Sequence, residues 1–340
     1  MIPLSFAQRR LWFVNRLEGA SATYNVPTVL RFGAGVDVDA LVSAVGDVVE
    51  RHEVLRTVFG ELDGEPFQRV MDPVEGAPVV ERGVCSAAEV DVLVGEFSRS
   101  VFDLSVDAPV RVRLWVTDAG ETVLVVLVHH IATDGWSEGV LLEDLRAAYE
   151  ARVEGGAPVW EPLPVQYADY ALWQRDLLGD AEDPESLLTG HLRFWRSALE
   201  GVPEVSSLPL DRARPGEPSG VGGVVRFALD ARTHERVLAT ARRSGCTLLM
   251  VVQAAVAVAL SKAGGGEDVV LGTPVAGREE EDLEGLVGFF VNSLVLRTRV
   301  DQEGSFTDLL TGVREADLEA FGHQEMPFDL LVEELNPARS

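Results

Sequence analysis

Apolar and polar positions along this chain follow two periods, one typical of helices and one typical of strands. Apolar residues spaced three or four positions apart predict a helix that starts near Ser5, a second that begins after Asp39 and a third that ends before Gly155. Aliphatic residues occupy every second position of residues 110–116, which predicts a half-buried strand. Residues 123–128 are six consecutive aliphatic residues, and such a run predicts a strand covered on both faces.

The same mixture of periods returns in the second half of the chain. A pair of long helices is predicted between Thr233 and Lys262, because apolar residues recur there at helical spacing. Further strands are predicted at residues 224–229, 269–271 and 289–296. Both halves therefore combine strands with amphipathic helices.

Composition changes between the two halves. Residues 158–164 are rich in proline and residues 180–184 are mostly acidic, and such shifts mark the connections between compact regions. The chain has 340 residues and 46% hydrophobic content, more than one core usually requires. We therefore expect an α/β (α+β) fold of two lobes, residues 1–175 and residues 176–340.

Charge and cysteine usage exclude several classes of function. The chain has 55 acidic and 29 basic residues, and its formal net charge of -26 repels nucleic acid and anionic membrane surfaces. Cys85 and Cys246 lie in no metal-binding or disulfide pattern, so we expect no metal site. The N-terminus lacks the pattern of a signal peptide, which favours a reducing, cytoplasmic location.

Two adjacent histidines, His129 and His130, follow the buried strand directly. A histidine at a strand end is held by rigid backbone and can still face a cleft, as a catalytic imidazole requires. Successive strand residues point to opposite faces, so only one of the two can reach a given substrate atom. Asp134 and Gly135 then form a turn whose carboxylate can pair with an arginine. On spacing alone, a hydrogen-bonded pair of core histidines explains the pattern equally well.

The segment from His129 to Ser137 (HHIATDGWS) resembles the HHxxxDG signature of the condensation domains of nonribosomal peptide synthetases. Five further segments are similar to motifs of that family and occur in the family's order. They are residues 5–12 (SFAQRRLW), 51–57 (RHEVLRT), 167–174 (YADYALWQ), 287–293 (VGFFVNS) and 323–329 (HQEMPFD). Six motifs in the right order make a coincidental match negligible.

The resemblance implies two chloramphenicol-acetyltransferase-like lobes that form a V-shaped pseudo-dimer with a tunnel between them. It also implies substrates carried on the 4'-phosphopantetheine of upstream and downstream peptidyl carrier proteins, beside an adenylation domain. The domain itself would bind no cofactor. The acceptor amine would attack the donor thioester, which forms the amide bonds of antibiotics and other secondary metabolites.

The resemblance places His130 at the centre of the active site, as a general base or a group that positions the amine. The backbone near Gly135 is the candidate for the oxyanion side. Other candidates line the substrate channel or are structural, namely Trp136, Ser137, Asn292, Gln324, Arg56 and Arg278. Of these, Arg56 and Arg278 are alternative partners for Asp134. No serine or cysteine lies beside His130 as an activated nucleophile would, so no covalent intermediate is expected.

Arginines in the first predicted helix form the densest basic group near the N-terminus. Arg9, Arg10 and Arg16 occur within two turns, beside apolar side chains. They are candidates for docking an acidic carrier protein, and the alternative is that they are ordinary solvated charges.

Three further expectations concern the specificity of the domain, its rival functions and its completeness. Residues 135–137 and 21–25 are most similar to domains that join an L-configured donor to an L-configured acceptor. A coenzyme-A-dependent HxxxD acyltransferase and a noncatalytic recruitment platform share the fold and are the rival functions. The platforms usually lose the double histidine, which is intact here. Residues 335–340 resemble the beginning of the family's last motif, which predicts an incomplete second lobe and leaves open whether this chain is active by itself.

Overall fold

The computed structural model describes residues 1–19, 21–203, 208–213, 215–216 and 222–336. The chain separates into two compact units. Unit 1 comprises Met1–Leu188 and Ala276–Asn292, and unit 2 comprises Thr189–Val275 and Ser293–Ser340. The predicted lobes divide after residue 175, which lies inside a helix, and that division stays a prediction.

Unit 1 is a mixed α/β structure. Its described strands are β1 Ile2–Pro3, β2 Asn25–Phe32, β3 Thr57–Leu62, β4 Glu65–Val70, β5 Val80–Cys85, β6 Val110–Thr117 and β7 Thr122–His129. Its described helices are α1 Phe6–Glu18, α2 Val38–Arg51, α3 Val90–Phe97, α4 Gly135–Val153 and α5 Tyr167–Leu178.

The main sheet of unit 1 has the strand order β2-β7-β6-β5. Strand β7 is antiparallel to both of its neighbours, and β5 is parallel to β6. The aliphatic run predicted to be covered on both faces is β7, and Val123, Leu124 and Val125 are each fully buried there. Because hydrogen-bonded neighbours and side-chain packing hold β7 from all sides, its carboxyl end is a rigid support.

The first helix of unit 1 begins where the sequence predicts, and the second begins slightly earlier. Ser5 caps α1 through a capping box with Gln8, which confirms the predicted start. Asp37 caps α2, so that helix begins at Val38, before the predicted start after Asp39. Helices α2 and α4 pack side by side, and the buried His52 bonds Asp144 between them, with 2.7 Å from Nε2 to Oδ2.

Unit 2 contains helices and a two-stranded sheet. Its described elements, of which α6 and β9 begin just before the unit boundaries, are α6 Leu187–Ala198, α7 Ala231–Ser244, α8 Leu248–Leu260, β8 Asp268–Val275, β9 Asn292–Arg299, α9 Phe306–Phe321 and α10 Phe328–Leu335. Helices α7 and α8 confirm the predicted pair, and Gly245 separates them in the left-handed conformation with φ of 62°. Strand β8 confirms the strand predicted at residues 269–271.

The strand predicted at residues 224–229 is wrong. The backbone there is irregular, and Val224, Val225 and Phe227 are more than four-fifths exposed. A strand requires a hydrogen-bonded neighbour, and no described strand pairs with this segment. The strand predicted at residues 289–296 begins later, at Asn292, because the preceding backbone bonds other groups.

Residues Leu248–Gly265 are the one described helical stretch long and apolar enough, by length and composition, to cross a membrane. A third of this stretch is buried within the protein. The buried side chains include Met250 and Ala254, which belong to a cluster with Leu310 and Val313 of α9. One face of this stretch therefore packs against α9 within unit 2.

Candidate active site at the end of β7

His129 is the last residue of β7 and is buried. Its Nδ1 accepts a hydrogen bond of 3.2 Å from the Ile131 N–H. The rings of Tyr24 and Phe102 lie about it, with centroids 6.2 and 6.0 Å from the imidazole. Burial, followed by the charge of His130, lowers the pKa of His129 to about 4. His129 is therefore a neutral core residue at pH 7.

His130 begins the turn after β7 and is only half-buried. Its Nδ1 lies 2.7 Å from the carbonyl oxygen of Thr133. A carbonyl oxygen can only accept, so Nδ1 carries the proton that forms this bond. In the neutral ring, Nε2 then holds the free lone pair that a base or hydrogen-bond acceptor needs. The backbone of the turn thereby selects the tautomer.

Asp134 caps α4 and is almost fully buried. Its Oδ1 accepts from the Ser137 N–H at 2.9 Å and from the Arg278 guanidinium at 3.2 Å. Its Oδ2 accepts from the Phe290 N–H at 3.0 Å. The carboxylate thus joins the turn after His130 to the segment that contains Arg278 and Phe290.

Of the two candidate partners for Asp134, the structure pairs Arg278 with it and places Arg56 elsewhere. Arg278 also donates to the carbonyls of Leu283 and Leu286, and burial lowers the pKa of its guanidinium, with Asp134 opposing that shift. Arg56 instead donates to the Met71 carbonyl and contacts Glu53.

Ser137 and Trp136, at the start of α4, both contact the segment 284–290. Ser137 Oγ accepts from the Gly288 N–H at 3.0 Å and lies 2.9 Å from the Gly288 carbonyl. Trp136 is half-exposed and donates from Nε1 to the Glu284 carbonyl at 3.1 Å. An added Cβ at Gly135 would meet no other atom within 4 Å, so open space lies beside this turn.

The remaining candidates from the sequence are Asn292 and Gln324. Asn292 is the last residue of unit 1 and the first of β9. Gln324 belongs to unit 2, and its N–H donates to the Phe321 carbonyl after α9. Their predicted roles stay predictions.

Arg9, Arg10 and Arg16 all lie on α1. The Arg9 guanidinium lies 5.5 Å from the centroid of the Phe13 ring. Arg16 is exposed and bonds Glu61 at 3.3 Å. The helix thus carries positive charge beside a partly exposed aromatic ring, and its docking role stays a prediction.

Three residues close to His130 received no role from the sequence. Phe289 packs its ring against His130, with centroids 4.8 Å apart, and the Tyr167 hydroxyl donates to the Phe289 carbonyl. Gly288 lies against the Tyr167 ring. A tyrosine, and a glycine before two phenylalanines, stand in two of the six motifs and were the available signal. Among the described residues, no group of three or more His, Cys, Asp or Glu could hold a metal ion.

Comparison with known proteins places this chain in a known family. The family model described as Condensation domain matches residues 1–340. A nonribosomal peptide synthetase of Salinispora arenicola is 51% identical over 342 residues, and a dimodular nonribosomal peptide synthase of Bacillus subtilis is 45% identical over 339 residues. Both matches cover the whole chain, which spans 4% of the first protein and 14% of the second.

Solved structures have the same fold. The X-domain from teicoplanin biosynthesis matches 99% of this chain and 74% of its own, with a TM-score of 0.91 and 36% identity. The first condensation domain of the calcium-dependent antibiotic synthetase matches 98% of this chain and 78% of its own, with a TM-score of 0.80 and 24% identity. These likenesses confirm the predicted chloramphenicol-acetyltransferase-like α/β fold class. Because the family model matches every residue of the chain, the chain belongs to the condensation-domain family of nonribosomal peptide synthetases.

Proposed function

We propose that this chain forms peptide bonds by joining a carrier-bound peptidyl or acyl thioester to the amine of a carrier-bound aminoacyl group. The observation that carries the proposal is the state of His130. Its ring is held at the end of a rigid strand by the Thr133 carbonyl, and in the neutral ring this bond leaves the free lone pair on Nε2. An imidazole in that state can accept a hydrogen bond and a proton from an attacking amine.

The proposed reaction is an addition to the thioester carbonyl, which gives a tetrahedral intermediate, followed by elimination of the thiol. The amine nitrogen attacks the thioester carbonyl carbon, the C–N bond forms and the C–S bond then breaks. His130 Nε2 takes the proton that the amine loses, and this proton leaves with the sulfur as the free thiol of the donor carrier. The backbone near Gly135 is the proposed side for the oxyanion. No residue of the protein forms a covalent bond with the substrate in these steps.

Magnitudes favour positioning over base catalysis as the larger contribution of the site. A free α-amine has a pKa near 8, so its neutral form costs only about 1.4 kcal/mol at pH 7. Alignment of two bound reactants is worth roughly 7 to 11 kcal/mol. General-base help is typically about 10²- to 10⁴-fold in rate. We therefore propose that His130 mainly orients the amine and takes its proton as the intermediate collapses.

The proposal includes the surroundings of the reaction. The substrates are carried on the 4'-phosphopantetheine of upstream and downstream peptidyl carrier proteins beside an adenylation domain, and the domain binds no cofactor of its own. The location is cytoplasmic, and the donor and acceptor both have the L-configuration. The similarity of the segment Gly135–Ser137 to domains with that specificity supports the last point.

A single-turnover assay tests the proposal. Donor groups loaded on a carrier protein and on coenzyme A are each mixed with a carrier-bound aminoacyl acceptor, and amide product is measured. We expect product from the carrier-bound donor and at least about 100-fold less from coenzyme A. Equal use of both donors would identify a coenzyme-A-dependent acyltransferase. Product from neither donor, with carrier binding retained, would identify a noncatalytic recruitment platform.

A further inference from the structure

Two buried hydroxyl groups connect the start of α1 to the backbone beside His130. The Gln8 N–H donates to Ser5 Oγ at 3.1 Å. Ser5 Oγ lies 2.8 Å from the hydroxyl oxygen of Tyr167. The Tyr167 hydroxyl lies 2.5 Å from the carbonyl oxygen of Phe289. Three consecutive hydrogen bonds thus cross the interior of unit 1.

The direction of each bond follows from the chemistry of its atoms. The Phe289 carbonyl can only accept, so the single hydroxyl proton of Tyr167 is used there. The Tyr167 oxygen therefore accepts from the Ser5 hydroxyl, whose own oxygen accepts from the Gln8 N–H. Burial raises the pKa of Tyr167 well above its usual value, so the hydroxyl keeps its proton. Every donor in the series has an acceptor.

The segment Gly288–Phe290 is also held from its other side. Ser137 bonds the Gly288 N–H, and Asp134 bonds the Phe290 N–H. A Cβ added at Gly288 would overlap Cδ2 of Tyr167, so the backbone of Gly288 packs directly against the tyrosine ring. Phe289 lies between these two bonded N–H groups. Tyr167 therefore sets the position of Phe289 through its hydrogen bond to the Phe289 carbonyl.

The side chain of that residue contacts the candidate catalytic imidazole. The Phe289 ring meets His130 edge to face, with centroids 4.8 Å apart and planes at 65°, and it is 7% exposed. The bond to Thr133 fixes one edge of the imidazole, and the Phe289 ring packs against the imidazole. A displacement of the Phe289 backbone would release the second of these two restraints.

We propose that Tyr167 is a positioning residue for His130 and acts through the Phe289 carbonyl and ring. This inference rests on the proposed function of His130. Tyr167 is connected to His130 through Phe289, so its contribution to rate should depend on Phe289. A tyrosine with a purely structural role would show no such dependence.

Tyr167→Phe removes only the hydroxyl and is the test variant. We expect kcat for amide formation between carrier-bound substrates to fall about tenfold, because small misplacements of a reacting group reduce rate steeply. KM should change less than about twofold. Tyr170→Phe is the matched control. It also removes a tyrosine hydroxyl from α5, but that hydroxyl accepts a hydrogen bond from the Gln174 side chain. Its kcat should stay within about twofold of wild type.

The dependence on Phe289 is tested in a second background. In Phe289→Leu, which removes the ring against His130, adding Tyr167→Phe should lower kcat less than twofold further. A similar tenfold loss in both backgrounds, or no loss in the wild-type background, would overturn the inference.

A readout that does not depend on turnover separates this inference from the proposed function. With histidine labelled by ¹⁵N, the His130 Nδ1–H resonance reports the bond to Thr133. We expect faster solvent exchange of this proton in Tyr167→Phe and not in Tyr170→Phe, because an imidazole that is no longer held by Phe289 moves more and breaks its bond to Thr133 more often. Unchanged exchange in both variants would overturn the inference even if the wild-type chain makes no amide. Absence of wild-type amide product would contradict the proposed function alone.

Discussion

His129 and His130 are adjacent in sequence, and their surroundings assign them different tasks. Alternation along a strand turns neighbouring side chains to opposite faces, so His129 enters the core and His130 does not. Desolvation keeps the buried ring neutral. The half-buried ring of His130 donates its Nδ1 proton to the Thr133 carbonyl, so in the neutral ring the free lone pair is on Nε2. The spacing of the two histidines does not show which one is structural, and their difference in burial does.

Replacement of His130 should remove most of the activity and leave the fold intact. We expect His130→Ala to lower kcat for amide formation by at least about 100-fold, the usual value of a positioned acid-base group. The free energy of unfolding should change little, because the side chain is half-buried and its one hydrogen bond goes to a local turn. Turnover in a carrier-loaded assay and urea denaturation measure the two quantities. Near-normal turnover would contradict the assignment.

The buried His129 should make stability depend on pH. Its folded pKa of about 4 lies below the unfolded value of 6.5, so the unfolded chain binds the proton more readily. This contribution to the free energy of unfolding is complete above pH 6.5 and is lost as the pH falls towards 4, where the loss amounts to about 3 kcal/mol. His129→Gln keeps an acceptor for the Ile131 N–H and cannot titrate.

The measurement is urea denaturation of wild type and His129→Gln at several pH values from 7 to 4. The loss of unfolding free energy with falling pH should be smaller in the variant by about 3 kcal/mol. The control is His234→Gln, which replaces an exposed histidine and should leave the wild-type slope. An identical slope in wild type and His129→Gln would show that His129 charges equally well in both states.

At the scale of elements, short sequence patterns correctly predicted the helices and strands that depend on interactions within a few residues. The capping box at Ser5, the alternation in β6 and the aliphatic run of β7 each act within a few residues, and each element was found. The failed strand at residues 224–229 had a strand-like pattern and lacked a described hydrogen-bonded neighbour. Pairing joins segments distant in sequence, so a single pattern cannot report it.

The candidate site divides in the same way. The signature around His130 was visible because its residues are consecutive. Its contact with Phe289 and the bond from Tyr167 join positions more than 100 residues apart, and only the fold brings them together. Two arginines were equal candidates for Asp134, and packing of the segment 276–292 into unit 1 selected Arg278.

Close packing of the segment Gly288–Phe290 against α5 requires a glycine. We expect Gly288→Ala to lower the free energy of unfolding by about 1 to 3 kcal/mol or more, because the new methyl group would overlap the Tyr167 ring. Gly139→Ala is the control, since that glycine is exposed within α4 with no atom near its added Cβ. It should raise stability by roughly 0.4 to 1 kcal/mol. Chemical denaturation of both variants decides, and an equally stable Gly288→Ala would show that the segment is loosely packed.

For the whole molecule, the net charge of -26 sets a condition on partners. Carrier proteins of such synthetases are usually acidic, as the family resemblance implies, so the average field of this chain would repel them. Docking would then need a local basic surface that acts within a Debye length of about 8 Å. Helix α1 offers Arg9, Arg10 and Arg16 beside the partly exposed Phe13.

If this face of α1 steers a carrier protein, charge reversal there should slow encounter and leave chemistry unchanged. We expect Arg9→Glu with Arg16→Glu to reduce the association rate of a separate carrier about tenfold or more at low salt, and less at moderate salt, because salt screens exposed charges. Fusion of the carrier to the chain supplies a high effective concentration, so turnover in that format should match wild type. Arg82→Glu with Arg146→Glu changes the net charge equally through exposed arginines elsewhere and should have a much smaller effect. Stopped-flow binding and fused-carrier turnover provide the two readings. Equal slowing by both double variants would mean that net charge governs association, and a loss in the fused format would mean that the arginines serve the fold.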